Sequence, residues 1–132
     1  MERALFDSSG KPVAYIALRP RNVIFLFDGH PVAFLYGTHI YGFTGVHLGW
    51  FINDIVYDAA GKRIGFTSST SPLPACREPP KAKKYPVAKS QPRQEAPPLP
   101  DLGFNYAEEN LESFLKKGEV VLPRQAAARE LL

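Results

Sequence analysis

The feature that most constrains this chain is an element that recurs four times within its first 67 residues. Aligned on a turn glycine, the copies run Leu5–Tyr15 around Gly10, Phe25–Leu35 around Gly29, Tyr41–Trp50 around Gly45 and Val56–Phe66 around Gly61. The second copy is the most explicit, because two apolar runs meet at Asp28-Gly29. Asp-Gly between such runs is a strong hairpin signal and predicts a type I′ turn, with positive φ at both central residues. A chain built this way folds as a repeat, since each copy can bury its apolar surface only against its neighbours.

Equivalent positions carry equivalent chemistry. An aromatic closes the first strand (Phe6, Phe27, Phe43, Tyr57), and three residues past the glycine stands an aliphatic (Val13, Val32, Leu48, Ile64). A very small residue follows (Ala14, Ala33, Gly49, Gly65), then an aromatic (Tyr15, Phe34, Trp50, Phe66). Strict two-residue periodicity places the aliphatic and the aromatic on one strand face and the small residue on the other. A small side chain at one point of every copy implies a close approach there, expected from the other three copies around a pseudo-fourfold axis. The competing reading is Ala and Gly scattered along half-exposed strands, glycine marking a bend.

The links are short as well. Gly37-Thr38 suits a type II′ turn and Asn53-Asp54 a type I′ turn, whereas the link Leu18-Arg19-Pro20-Arg21-Asn22 is longer. The fold class is therefore all-β: four repeated β-hairpins, an eight-strand meander over residues 3–7, 12–17, 23–27, 31–36, 39–43, 46–52, 55–58 and 63–67. It closes as an up-and-down barrel or as four petals around the axis. Pro12 and Pro31 each open a strand, where a missing N–H is tolerated.

The Gly-x-Pro-Val-Ala-aromatic element at Gly10–Tyr15 and Gly29–Phe34 carries a family likeness, together with His47-Leu48-Gly49-Trp50-Phe51 and the Asp-containing fourth copy. Over about residues 1–70 the chain resembles the four-fold beta-flower proteins, small bacterial proteins of four β-hairpins. That resemblance implies the fold. It also implies a proline-rich tail ending in a short acidic-aromatic segment, which residues 72–118 match. It brings no activity, cofactor or catalytic residue with it.

Composition divides the chain after the repeat. Residues 1–71 hold all three histidines and most aromatics, whereas 72–100 hold nine of the thirteen prolines. The expected organisation is a four-hairpin β domain over 1–71, a Pro-rich basic linker over 72–100, and a short amphipathic helix with C-terminal tail over 101–132. Asn105 and Glu108 have capping-box spacing, and Ala107, Leu111, Phe114 and Leu115 share one helical face. A helix over 105–118 closed by Gly118 follows, with one or two further helical turns expected over Gln125–Leu132. The single cysteine, Cys76, fits a reducing compartment, and Met1-Glu2-Arg3 does not read as a secretory leader. No apolar run approaches the ~20 residues of a membrane span. The expected location is cytoplasmic.

Motifs for chemistry are scarce. No nucleophile elbow, phosphate loop or paired Cys-x-x-Cys is present, and Gly42, Gly45 and Gly49 lie between strands, with no helix following. His30, His39, His47 and Cys76 match no structural-zinc spacing, so no metal site is assigned. Asp7, Asp28 and Asp58 recur at turns, where Asp serves the backbone. Arg77, Lys81, Lys83, Lys84, Lys89 and Arg93 form a basic run facing one anion, Glu78, and read first as a solvated linker. Pro97-Pro98-Leu99-Pro100 has minimal P-x-x-P spacing, which any stretch this rich in proline would contain.

These observations point to a non-enzymatic interaction or scaffold module without a cofactor, catalytic or metal site. Leu111, Phe114 and Leu115 are its candidate docking residues, engaging either a protein partner or the chain's own β domain. The alternatives are a small-ligand-binding domain or enzyme with a pocket on the pseudo-fourfold axis, and nucleic-acid binding through the basic linker. The small positions give the first test. Ala33→Leu is expected to overpack the axis and cost about 1–3 kcal/mol in urea denaturation. Lys11→Ala, beside a turn, is expected to stay within about 0.5 kcal/mol of the parent. Equal effects of the two changes would remove the axis from the picture.

Overall fold

The structure, a computed structural model, describes residues 2–18 and 22–120. Most of the Leu18–Asn22 link, and Gln125–Leu132, lie outside the described residues. Eight strands follow one another: Glu2–Phe6 (β1), Pro12–Ala17 (β2), Val23–Leu26 (β3), Pro31–Tyr36 (β4), His39–Gly42 (β5), His47–Ile52 (β6), Ile55–Tyr57 (β7) and Arg63–Phe66 (β8). Each pairs antiparallel with the next, and β1 returns to β8 at Phe6 opposite Phe66, so the sheet is a closed barrel. Of the two closures expected, the barrel is the one formed. Among the described residues one short helix, Leu111–Lys116 (α1), follows.

All four hairpins turn alike. The N–H groups of Gly10, Gly29, Gly45 and Gly61 donate to the carbonyls of Asp7, Leu26, Gly42 and Asp58, each at 3.0 Å. Each glycine has a φ between 83° and 96°. This is a type I turn closed by a left-handed residue, not the type I′ turn expected at Asp28-Gly29. Asp28 keeps an ordinary φ and accepts instead from the His30 N–H at 3.0 Å, so its side chain does the work that a second positive φ would have done. The link turns match expectation: Asn53 and Asp54 both have positive φ (51° and 63°), and Gly37 has φ 61°.

The register corrects two details of the repeat. Phe6, Phe25, Tyr41 and Tyr57 stand opposite Pro12, Pro31, His47 and Arg63, so the equivalent aromatics are Phe25 and Tyr41 rather than Phe27 and Phe43. Next to them, Leu5, Ile24, Ile40 and Val56 stand opposite the small residues Ala14, Ala33, Gly49 and Gly65. One residue is skipped between these pairs in every hairpin: Val13, Val32, Leu48 or Ile64. This bulge breaks the two-residue alternation. As a result the aliphatic and the small residue both belong to the interior cluster, while the aromatics Tyr15, Phe25, Trp50, Tyr57 and Phe66 belong to outer clusters.

The outer aromatics pair between hairpins: Tyr15 opposite Phe25, Phe34 opposite Tyr41 and Trp50 opposite Tyr57. Tyr15 and Phe25 stack with ring centroids 5.8 Å apart, and Phe34 and Tyr41 with centroids 6.0 Å apart.

The stretch read as a linker lies against the barrel. Its backbone passes the four turns in order, and the N–H groups of Cys76, Tyr85, Gln94 and Gly103 donate to the carbonyls of Gly10, Gly29, Gly45 and Gly61 at 2.8, 2.9, 2.8 and 3.3 Å. These donors are nine residues apart (85 − 76 = 94 − 85 = 103 − 94 = 9), one nonapeptide per hairpin. Two further bonds, Ala82 N–H to the Phe27 carbonyl and Gln91 N–H to the Phe43 carbonyl, keep the same spacing. The prolines fall at positions that are not asked to donate. This extended collar explains the turn glycines: a Cβ at any of the four would collide with the carbonyl of Pro74, Lys83, Pro92 or Asp101.

Beyond the collar the chain pairs along β8 and then enters the core. Asn105 accepts from the Arg63 N–H at 2.8 Å, and Ala107 donates to the Arg63 carbonyl at 2.9 Å. Backbone committed to this pairing cannot be helical, so the helix starts later than the capping spacing suggested. Asn110, not Asn105, is the N-cap, its side chain accepting from the Ser113 N–H at 2.8 Å. Leu111, Phe114 and Leu115 are at most 1% exposed and join the interior cluster of the barrel. A Cβ at Gly49 would lie 3.0 Å from Phe114 Cζ, and one at Gly65 2.9 Å from Leu111 Cδ1. The close approach at the small positions therefore comes partly from α1, with the Tyr57 carbonyl and the Val56 side chain of β7.

A fragment of residues 1–71 forgoes the burial of these three side chains, worth roughly 1.5–3 kcal/mol each before the cost of ordering the segment. It is expected to unfold cooperatively at a lower urea midpoint than the full chain. A fragment as stable as the full chain would show that α1 contributes nothing to the core.

Candidate functional site

The interior offers no polar constellation among the described residues. Its cluster runs from Leu5 through Ile64 to Leu111, Phe114 and Leu115 and is apolar throughout. The candidate docking residues Leu111, Phe114 and Leu115 are thus engaged with their own chain and present no side-chain surface outward. What is exposed lies at the turn end and along the collar.

A cleft of about 470 Å³ opens at the turn end between the first two hairpins, the collar and the start of α1, lined in part by Asp7, Lys11, Asp28, Asn110 and Glu112. Its acids are occupied. Asp7 Oδ1 accepts from the Ser9 hydroxyl and the backbone N–H groups of Ser9 and Lys11, at 2.6, 2.9 and 3.0 Å. Burial raises the Asp7 carboxyl, but these hydrogen bonds outweigh it and leave the group below the usual carboxylate range. Asp28 holds the His30 ring at 2.7 Å, and Glu112 pairs with Lys116 at 3.2 Å. Asp58 repeats the Asp7 turn, accepting from the N–H groups of Ala60 and Lys62 at 2.9 Å each. Turn-making accounts for these aspartates.

The histidines separate. His30 is buried at the second turn, stacked on Tyr85 of the collar with centroids 4.3 Å apart. His39 and His47 meet on the third hairpin, Nδ1 to Nε2 at 3.0 Å, beside Trp50 and Tyr41. Cys76 is exposed at the first turn, and no group of three or more metal-ligating side chains occurs among the described residues. The His47 backbone N–H donates to the Gln94 side chain at 3.1 Å, and the Tyr41 hydroxyl donates to the Gln94 carbonyl at 3.0 Å. The third turn's collar contact therefore runs through the His47 backbone and the Tyr41 hydroxyl, next to the histidine pair.

The basic run splits into two groups. Lys81 and Lys84 reach Glu2 at 3.5 and 2.7 Å and lie over the Tyr15 ring, 5.0 and 5.6 Å from its centroid. The hydrogen bond from Lys84 holds the Glu2 carboxyl below its ordinary range, against a smaller opposing effect of burial. Burial pushes the Tyr15 hydroxyl up. Arg93 packs on Tyr36, 3.7 Å from the ring centroid. Arg77, Lys83 and Lys89 are exposed and make no ion pair among the described residues. Pro97–Pro100 lies in the collar between the third and fourth turns. Gly42 touches Gly118 backbone to backbone, and Gly45 meets the collar, so neither is a phosphate-binding loop. Sequence reasoning missed the collar, because its nine-residue register is carried by backbone groups of unlike residues.

A family model described as 4-fold beta flower protein matches residues 3–115, which takes in the barrel, the collar and most of α1. No curated protein and no solved structure matches the chain. No helix among the described residues is long and apolar enough to cross a membrane.

The His39–His47 bond needs one bare and one protonated nitrogen, and His47 Nδ1 is buried without a partner. Burial, and then the neighbouring His39, lower the His47 pKa below its ordinary value. The unfolded chain therefore binds this proton more readily than the folded one. Stability is complete above the ordinary histidine value of about 6.5 and falls as the pH drops below it toward the lowered value. Urea midpoints are expected to fall between pH 7.5 and pH 5.5, and His47→Gln should flatten that slope. A slope unchanged in His47→Gln would place the titration elsewhere.

Proposed function

We propose that this chain, which belongs to the 4-fold beta flower family, is a non-enzymatic interaction module whose partner-facing surface is the collar. The observation that carries the reading is the filled interior. Apolar side chains from all four hairpins and from α1 occupy the axis, so a reaction site there would have no polar group to work with. The turn aspartates are spent on backbone N–H groups, which leaves the cleft beside them without a free acid of that set. The collar, by contrast, holds Arg77, Lys83 and Lys89 outward with unneutralised charge, on a backbone fixed at every hairpin. Cations on a fixed backbone favour an acidic partner, and that backbone loses less freedom on binding than a floating tail would.

Photo-crosslinking in cells that make the protein tests this reading. A crosslinker introduced at Lys83 or Lys89 is expected to give a defined protein adduct, and one at Lys62, on the exposed fourth turn, to give none. Adducts equally abundant from all three positions, or from none, would overturn it. Loss of the adduct on nuclease treatment would transfer the surface to nucleic acid, whose affinity falls steeply with salt.

A further inference from the structure

The collar repeat sets side chains nine residues apart against successive pairs of outer aromatics, and its first two copies can be compared. Lys81 lies over Tyr15 of the first hairpin, 5.0 Å from its ring centroid. Nine residues on stands Ser90, facing Phe34, the counterpart of Tyr15 in the second hairpin. Serine is too short to cover an aromatic ring, and a cavity of about 300 Å³ remains between the barrel and the collar. Its walls include Phe34, Tyr36 and Phe43 from the barrel and Ala88, Ser90 and Arg93 from the collar. That volume lies at the lower end of the range for small-molecule sites, which are mostly apolar with a few placed polar groups.

Arg93 supplies the polar group. It is nine residues after Lys84 and repeats its role, with the cation over an aromatic ring, 3.7 Å from the Tyr36 centroid and 5.9 Å from that of Tyr41. The two differ in their counter-charge. Lys84 is neutralised by Glu2 at 2.7 Å, whereas Arg93 makes no ion pair among the described residues. A guanidinium stacked on a ring still presents its edge N–H groups, the geometry that matches a carboxylate.

We propose that this cavity is a binding site for a small planar apolar anion, an aromatic carboxylate in the simplest case, with the rings of Phe34, Tyr36 and Phe43 taking the flat body and Arg93 the charge. The site is peripheral to the barrel axis and goes beyond the interaction role of the collar. Its formation depends on a single short residue in one copy of a repeat. Filling that position removes the site without touching the barrel.

The test is an NMR titration of the full chain with 2-naphthoate, with neutral 2-naphthalenemethanol as the comparison. Saturable shifts are expected around Phe34, Phe43, Ser90 and Arg93, and Arg93→Gln should weaken naphthoate roughly tenfold while leaving the alcohol unchanged. Ser90→Leu should abolish binding of both with the remaining spectrum preserved. If that variant does not fold, Ala88→Leu makes the same demand from the neighbouring wall. Shifts that do not saturate or that centre elsewhere overturn the site. An affinity for naphthoate that Arg93→Gln leaves unchanged overturns the anionic class. A chain ending at Val120 is expected to bind as the full chain does. A tenfold gain on that truncation would make residues 121–132 the occupant, and the proposal would fall.

Discussion

A carbonyl oxygen of the collar rests against the α-carbon of each turn glycine, and both properties of glycine are needed there. Positive φ closes the type I turn so that the hairpin strands diverge with the right twist. The missing Cβ lets a second backbone lie against the turn and donate hydrogen bonds to it. Every other feature of the outer shell follows from that contact. It fixes the collar's height on the barrel, sets nine extended residues between successive turns, and so decides which collar side chain faces which aromatic pair. Lys81 and Lys84 cover Tyr15 and Phe25, and Arg93 covers Tyr36, because of a register set by backbone.

The interior works by a different rule, near-symmetry broken where the helix enters. Leu5, Ile24, Ile40 and Val56 form one set of equivalents, and the bulged Val13, Val32, Leu48 and Ile64 another. A helix has no fourfold symmetry, so it cannot press equally on four small positions. The third and fourth hairpins carry glycine, at Gly49 and Gly65, where a Cβ would meet both β7 (the Tyr57 carbonyl or the Val56 side chain) and α1 (Phe114 or Leu111); the first two carry alanine. The chain's departures from its own repeat are the imprint of what packs against it.

Strands and link turns were legible in the sequence because their signals are local: Pro12 and Pro31 at strand starts, Asn53-Asp54 between short apolar runs. Face assignment was not, because a bulge at Val13 and its equivalents changes no residue type and yet turns two neighbours inward. Phe27 and Phe43 stood in for Phe25 and Tyr41 because aromatics occur on both sides of those turns, and only pairing separates them. Asn105 had the spacing of a cap, but Arg63 at the start of β8 claims its backbone first. The collar was hidden for a deeper reason. Pro74, Lys83, Pro92 and Asp101 share no side-chain property, since the contact each makes is through its carbonyl. Backbone recognition of this kind leaves a spacing behind and no motif. The basic character of 77–93 was plain, but the division between cations that cover rings and those left outward depends on register alone.

The position of α1 after the barrel and the collar in the chain has a consequence for synthesis. A ribosome delivers the N-terminus first, at about 5–20 residues per second, and domains tend to fold as they emerge. All four hairpins are complete before Leu111 has been made. A barrel formed at that stage has an unfilled apolar centre while the collar is threaded past its turns, and the segment that fills it is made only after both. A transcript cut short anywhere before that point yields a product with an open greasy mouth, the kind of surface that chaperones and proteases recognise. The order of residues along the chain makes the finished core a record that translation reached the helix.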